Sequence, residues 1–319
     1  MDFTQTSYMD RGLGDTLMSN TLKRGFISGR AFSLLLSLVL LLPVDTIAVP
    51  QLPPLNTKPT GEQFNGKFIW FDLATSDLNG EKKFYSEVFG WQFKQLGDTA
   101  DQYNLISNGD QNIAGMFQVD DPKKESSSSL WIGLMSVDNP QQAATYVQQN
   151  GGAVHMPPAS VAQRGTFALF RDPEGALFGV LKSDSGDKPD QLPGMGNFFW
   201  MDLFARDQQK ASQFYKNLAG YDVTEKEVGN GTMRLVLKTH DRARAGIVPL
   251  PEDINRAGWL PYVRVADVNE TLAKAIDNGA RVLVAPQEDL LDGNLAIFAD
   301  PHGGVMGIVK WDDSSIGTE

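Results

Sequence analysis

Phe68-Ile69-Trp70-Phe71-Asp72-Leu73 returns 130 residues on as Phe198-Phe199-Trp200-Met201-Asp202-Leu203, and Phe84-Tyr85 returns as Phe214-Tyr215 at the same offset. Asp172-Pro173-Glu174-Gly175 returns 128 residues later as Asp300-Pro301-His302-Gly303. A period this long in a chain of 319 residues implies two duplicated domains, because a solenoid repeats at a shorter interval. Each copy is long enough to bury a core of its own. The drift of two residues fits insertions or deletions in loops, which tolerate them best.

Within the first copy, alternating apolar runs predict strands at 67–74, 91–96, 102–107, 112–118, 130–137, 153–161, 166–171 and 176–182. Helices fit between the first and second of these and between the fifth and sixth. Asp77 and Asp138 are candidate N-caps, and Gly90 and Gly151 candidate stops. Asp207, Gly220, Asp267 and Gly279 take these parts in the second copy, and Asn230-Gly231 marks a tight hairpin turn. Each copy therefore reads as a βαβββ-βαβββ unit. The segments 122–129 and 183–196 are polar and short of apolar anchors, and are expected to be mobile on the surface.

A strand, an Asp seven residues after its pocket-facing Trp, a helix carrying Phe-Tyr and ending in Gly, three more strands and a closing Asp-Pro-x-Gly turn, found twice, resemble the vicinal-oxygen-chelate superfamily. This is the group of glyoxalases, bleomycin-resistance proteins and dioxygenases. The resemblance implies an α+β fold, a tandem repeat of paired βαβββ modules, each pair forming a curved mixed sheet around a cavity. It also implies a divalent metal in that cavity, held by His, Glu or Gln. The positions at which the family keeps those ligands fall here on Trp70 and Trp200, on Gly179 and Gly307, and on Ile132 and Leu260, none of which can hold a metal. His155, His240 and His302 are expected as solvated turn or edge residues. No metal and no cofactor is therefore expected.

Side chains two apart on a strand share a face, so alternation places Phe68, Trp70 and Asp72, and likewise Phe198, Trp200 and Asp202, on one wall of each cavity. Gly179 and Gly307 would leave room opposite them for a flat organic ligand. Tyr262 and Arg264 would meet an anionic or carbonyl group. Two readings stay open: a small-molecule site, or a core in which tryptophan fills the former metal position. Asp72 and Asp202 need partners, because a bare buried carboxylate costs several kcal/mol. Arg171, Arg234 and Arg264 are the candidates for a structural ion pair.

Lys23, Arg24 and Arg30 precede an apolar run from Ala31 to Leu42, then Pro43, Asp45 and the small-residue stretch Thr46-Ile47-Ala48. That order predicts a signal peptide over 1–48, or an anchor if uncleaved, and hence an exported protein, periplasmic or extracellular. A proline-rich tether (49–65), domain 1 (66–184), a linker (185–195), domain 2 (196–311) and a tail (312–319) follow. The net charge of -11 repels the phosphate backbone, so nucleic acid is an unsuitable partner. The absence of cysteine excludes disulfides, a thiolate zinc site and a catalytic thiol. Three functions remain: an exported binder of a small organic molecule, a metal-dependent lyase, isomerase or dioxygenase of the same superfamily with a displaced metal site, or an assembly module forming a homodimer.

Overall fold

The computed structural model describes residues 52–97, 103–119, 128–227, 233–252 and 254–312. The expected signal peptide, the Asn230-Gly231 turn, most of the 122–129 segment and nearly all of the tail lie outside them. No described helix is long and apolar enough to cross a membrane.

The first half runs β1 (Phe68–Thr75), α1 (Leu78–Phe89), β2 (Gln92–Leu96), β3 (Tyr103–Asn108), β4 (Gln111–Gln118), β5 (Ser129–Ser136), α2 (Pro140–Gln149), β6 (Ala153–Val161), β7 (Gly165–Arg171) and β8 (Leu177–Ser183). The second half repeats it with β9 (Phe198–Ala205), α3 (Gln208–Ala219), β10 (Asp222–Glu227), β11 (Met233–Thr239), β12 (Arg242–Pro249), β13 (Gly258–Arg264), α4 (Val268–Asp277), β14 (Arg281–Val284), β15 (Leu295–Ala299) and β16 (Val305–Val309). Each half forms one eight-stranded mixed sheet, ordered β2-β3-β4-β1-β5-β8-β7-β6 and β10-β11-β12-β9-β13-β16-β15-β14. The two modules of a domain join through antiparallel β1·β5 and β9·β13, so consecutive modules pair.

Asp77, Asp207 and Asp267 cap their helices as expected, each accepting from the amide three residues on. Asp138 does not cap α2. Asn139 does, because Pro140 occupies the first helical turn and shifts the start by one residue. His240 and Asp241, both at positive φ, turn β11 into β12.

The helix-bearing faces of the two sheets meet. Phe71 stacks on Phe198 with ring centroids 4.0 Å apart, and Phe68 lies 5.0 Å from Trp259. One apolar core spans both domains around Leu73, Trp91, Trp131, Leu203, Tyr215 and Phe298. Two pseudo-equivalent clasps cross this seam: Tyr85 donates to Asp300 (2.7 Å) and Tyr215 to Asp172 (3.0 Å), while Trp131 and Trp259 donate to the same two tyrosine hydroxyls. The opposite face of each sheet is its inner face.

The proline-rich tether and the 183–196 segment, the latter expected to be mobile, are built into domain 1. Leu55, 6% exposed, joins the apolar cluster of Trp70, Leu105, Leu134 and Leu181 on the inner face of domain 1. Asn56 and Thr60 bond to Ser185, Gly186 and Asp187 of the linker, where Ser185 and Asp187 are buried. Polar anchors hold these strands of chain where apolar ones are scarce.

Candidate functional site

The aromatic walls expected inside each sheet are divided between two places. A register shift between Phe68 and Trp70 breaks the alternation of β1, and the equivalent one in β9 lies between Phe198 and Trp200, which pair with the adjacent Val263 and Tyr262 of β13. Phe68 and Phe198 therefore turn toward the seam, not toward the inner faces with Trp70 and Trp200. A bulge inserts one extra residue and re-aims the side chains before it.

The room expected beside the two glycines is filled. A Cβ on Gly179 would lie 2.9 Å from Leu134 and 3.1 Å from Leu169, and one on Gly307 would lie 2.1 Å from the Tyr262 ring. Together with Trp70, Trp200, Ile132 and Leu260, these positions offer no donor and no space, so the residues present do not fit the metal that the fold implies there.

On the inner face of domain 2 the carboxylate is closed off. Asp202, 1% exposed, accepts from Trp200 Nε1 (2.8 Å) and from Arg234 Nη2 (2.7 Å), and the Tyr262 hydroxyl also bonds to it. Of the three candidate arginines, Arg234 is the partner. Arg264 is spent on the carbonyls of Trp311 (2.6 Å) and Pro193 (2.7 Å), and Arg171 donates to Gly175. Arg264 thus ties the linker at Pro193 to Trp311.

Domain 1 lacks that ion pair. Tyr103 stands where domain 2 has Arg234, and Asp72 accepts from Trp70 Nε1 (3.0 Å) and the Tyr103 hydroxyl (2.6 Å). Gly115, opposite Asp72 on β4, gives Tyr103 and Asp72 their room, as Gly246 does for Asp202. Burial pushes the Asp72 carboxyl up, against the pull of the Tyr103 bond, the Arg164 charge and the Trp70 bond.

Arg164 was not visible as a site residue in the sequence. It sits in the β6–β7 turn, is 3% exposed, and lays its guanidinium 4.1 Å over the Trp70 ring. None of its three nitrogens has a hydrogen-bond partner among the described residues. Its field reaches Lys188, whose ammonium donates to the Asn112 carbonyl (2.8 Å) and has no carboxylate partner among the described residues. Burial, then the charges of Arg164 and Lys67, bring the Lys188 amine down to about 8.

Lys188 also lines a cleft of 490 Å³ at the seam, under the linker, which Phe68, Phe198, Trp200, Asn108 and Arg244 share. Asp190 in its wall is already neutralised. Burial would raise its carboxyl, but bonds from Arg244 (2.7 and 2.8 Å) and Lys67 (2.8 Å) hold it at about 2. The cleft has the size of a small-molecule site, aromatic walls and an unmatched cation.

His302 is also not the solvated residue expected. It lies between Asp77 and Glu81, with Glu81 fully buried, and the Glu81 bond is the main influence raising its imidazole. Burial, then Glu81, push the Asp300 carboxyl up to about 8. His155 is half-buried on β6, where burial and then Arg171 lower it, and His240 is exposed.

Residues 67–180 match the Glyoxalase/Bleomycin resistance protein/Dioxygenase superfamily, and residues 199–309 match the Glyoxalase-like domain. A Mycobacterium tuberculosis protein carrying the name glyoxylase CFP32 is 26% identical over 245 residues, 76% of this chain and 93% of that one. The anthracycline biosynthesis protein DnrV of Streptomyces peucetius is 26% identical over 264 residues, covering 77% and 93%. Among solved structures, the Mn(II)-bound glyoxalase from Novosphingobium aromaticivorans superposes with a TM-score of 0.53 at 16% identity, covering 81% of this chain and 86% of that chain. A homoprotocatechuate 2,3-dioxygenase from B. fuscum gives 0.56 at 12% identity, covering 82% and 75%. These likenesses at low identity establish the fold.

Proposed function

The chain belongs to the glyoxalase/bleomycin resistance protein/dioxygenase superfamily, and from that premise we propose that it is an exported protein binding a planar organic anion in the seam cleft, without a metal in either sheet. One observation carries the reading: Lys188, an ammonium without a carboxylate partner among the described residues, stands in a 490 Å³ cleft walled by Phe68, Phe198 and Trp200. Arg164 behind it adds positive potential with no hydrogen bond to spend it on. An anionic or carbonyl group would meet Lys188, and the ring system would lie against the aromatic wall. Relatives named for anthracycline biosynthesis support an organic ligand. Export rests on the basic, apolar and small-residue order of 23–48, and the mature N-terminus is then expected just after Ala48.

The test uses anilinonaphthalene sulfonate and its neutral anilinonaphthalene parent with the full chain. The sulfonate should bind more tightly, and EDTA should leave binding unchanged. Trp200→Ala should weaken both, whereas Lys188→Met should weaken only the sulfonate. Equal affinity of both variants and the unsubstituted protein would remove the cleft as the site.

A further inference from the structure

The two clasps across the seam share a backbone but not their chemistry. Beside the Tyr85–Asp300 clasp stand Thr75, Gly80, Glu81, Ser129 and His302. At the pseudo-equivalent places beside Tyr215–Asp172 stand Ala205, Lys210, Ala211, Ala257 and Glu174. Glu174 there turns outward from the seam core, accepting from the Arg206 and Asp207 amides. The second clasp shows that the seam packs well around alanines, so the polar set of the first is not required for packing. Burying a glutamate at 0% exposure is costly in free energy, and Gly80 gives up helix propensity for it. A Cβ on Gly80 would lie 2.3 Å from the His302 ring, so the glycine admits the imidazole.

We propose that Glu81, Asp300 and His302 form a binding site for one divalent transition-metal ion at the domain seam, apart from both inner sheet faces. One donor atom from each lies within 4.8 Å of the other two, a spacing that small side-chain rotations bring to a metal's shell. His302 Nδ1 pairs with Glu81 Oε1 at 3.3 Å, and Glu81 Oε2, wholly buried, has no hydrogen-bond partner among the described residues. The Ser129 and Thr75 hydroxyls orient the other Glu81 oxygen, and Tyr85 orients Asp300, as outer partners of ligating carboxylates do. Two carboxylates and an imidazole without sulfur suit Zn²⁺, Mn²⁺, Fe²⁺, Co²⁺ or Ni²⁺. The His302 side chain, 13% exposed, gives the ion its way in.

The chain has three histidines and no cysteine, so imidazole NMR resolves the site directly. Zinc chloride is titrated into EDTA-dialysed full-length protein. One equivalent should shift the His302 signal and leave those of His155 and His240 in place. Glu81→Ala, which copies the second clasp and should fold as that clasp does, should weaken binding roughly tenfold or more. His302→Gln should do the same, and Glu174→Ala should change nothing. A His302 signal unmoved by a large excess of zinc and of manganese, or stoichiometric binding that survives both Glu81→Ala and His302→Gln, overturns the proposal.

Discussion

Replacing Arg164 by methionine should make the free protein more stable while weakening its hold on an anion. The Arg164 guanidinium is buried, and its three nitrogens lack hydrogen bonds. Each unsatisfied buried donor costs roughly 1–3 kcal/mol. Stacking on Trp70 at 4.1 Å returns about 2 kcal/mol, and the Asp72 carboxylate gives further attraction. Methionine keeps the length and the contact with the indole and leaves no donor behind. Exchanging buried charge for a packed apolar side chain stabilises by about 1–4 kcal/mol where such exchanges succeed. For a protein of this size that is a rise in Tm of roughly 2–10 °C. Urea unfolding and differential scanning calorimetry give the number. Saturating anilinonaphthalene sulfonate at about 100 times its Kd should stabilise the unsubstituted protein by about 2.7 kcal/mol, and the variant by less. A loss of more than about 1 kcal/mol in Arg164→Met would show that the guanidinium is satisfied in the free protein, and the argument from its unmet donors would fail.

Tyr85→Phe and Tyr215→Phe each strand a Trp N–H and a carboxylate oxygen in the seam, so each should cost about 2–4 kcal/mol in urea unfolding; losses near zero would mean the clasps are wet. Asp172 is 4% exposed, and burial foremost raises its carboxyl to about 6, against bonds from Ala176, Tyr215 and Glu174. A raised folded-state value contributes stability below the unfolded value that is lost as pH climbs through the folded one. The stability of the unsubstituted protein relative to Asp172→Asn should therefore fall by about 3 kcal/mol between pH 4 and 7, and a flat difference would refute the shift. Asp202→Ala should cost about 1.5–3 kcal/mol by removing the charged hydrogen bond to the partly buried Arg234, whereas Asp72→Ala, which loses the neutral Trp70 and Tyr103 donors and the longer-range attraction of Arg164, should cost less. Equal losses in the two would erase the distinction drawn between the domains.

The sequence showed element order, domain repeat and three of the four N-caps because those depend on local chemistry. Apolar alternation, short carboxylates before helices and glycines after them leave marks at fixed spacing. What alternation could not show is a register shift. One extra residue near Phe68 and Phe198 re-aims two aromatic rings from the inner faces to the seam, and nothing in the residue types signals it. Alternation gives the glycines at 179 and 307 as open space, but their vacancy is taken by Leu134, Leu169 and Tyr262 of the neighbouring strands. Arg164 was hidden by its place in a turn, where arginine usually meets water. Gly165, at φ 123, presses that turn so close to β8 that a Cβ would lie 2.0 Å from the Lys182 carbonyl, and the arginine is turned inward. Arg234 was legible as a partner for Asp202 because a carboxylate in an apolar strand demands one.

Duplication copied the backbone faithfully, and the charges then diverged in one direction. Asp202 has its own arginine, while its counterpart Asp72 shares an uncommitted Arg164 with the potential at Lys188. One clasp is lined by alanines, and the other carries a buried glutamate with an oxygen left over. In each pair the simpler version shows what the fold requires, so the surplus charge of the other is a departure that packing does not explain. Asp72 and Glu81 both belong to domain 1, and Lys188, which feels the Arg164 charge, lines the cleft at the seam. The Asp202–Arg234 ion pair closes the inner face of domain 2, whereas the Arg164 guanidinium beside Asp72 makes no ion pair among the described residues, so the two inner faces differ in charge although their strands share one order.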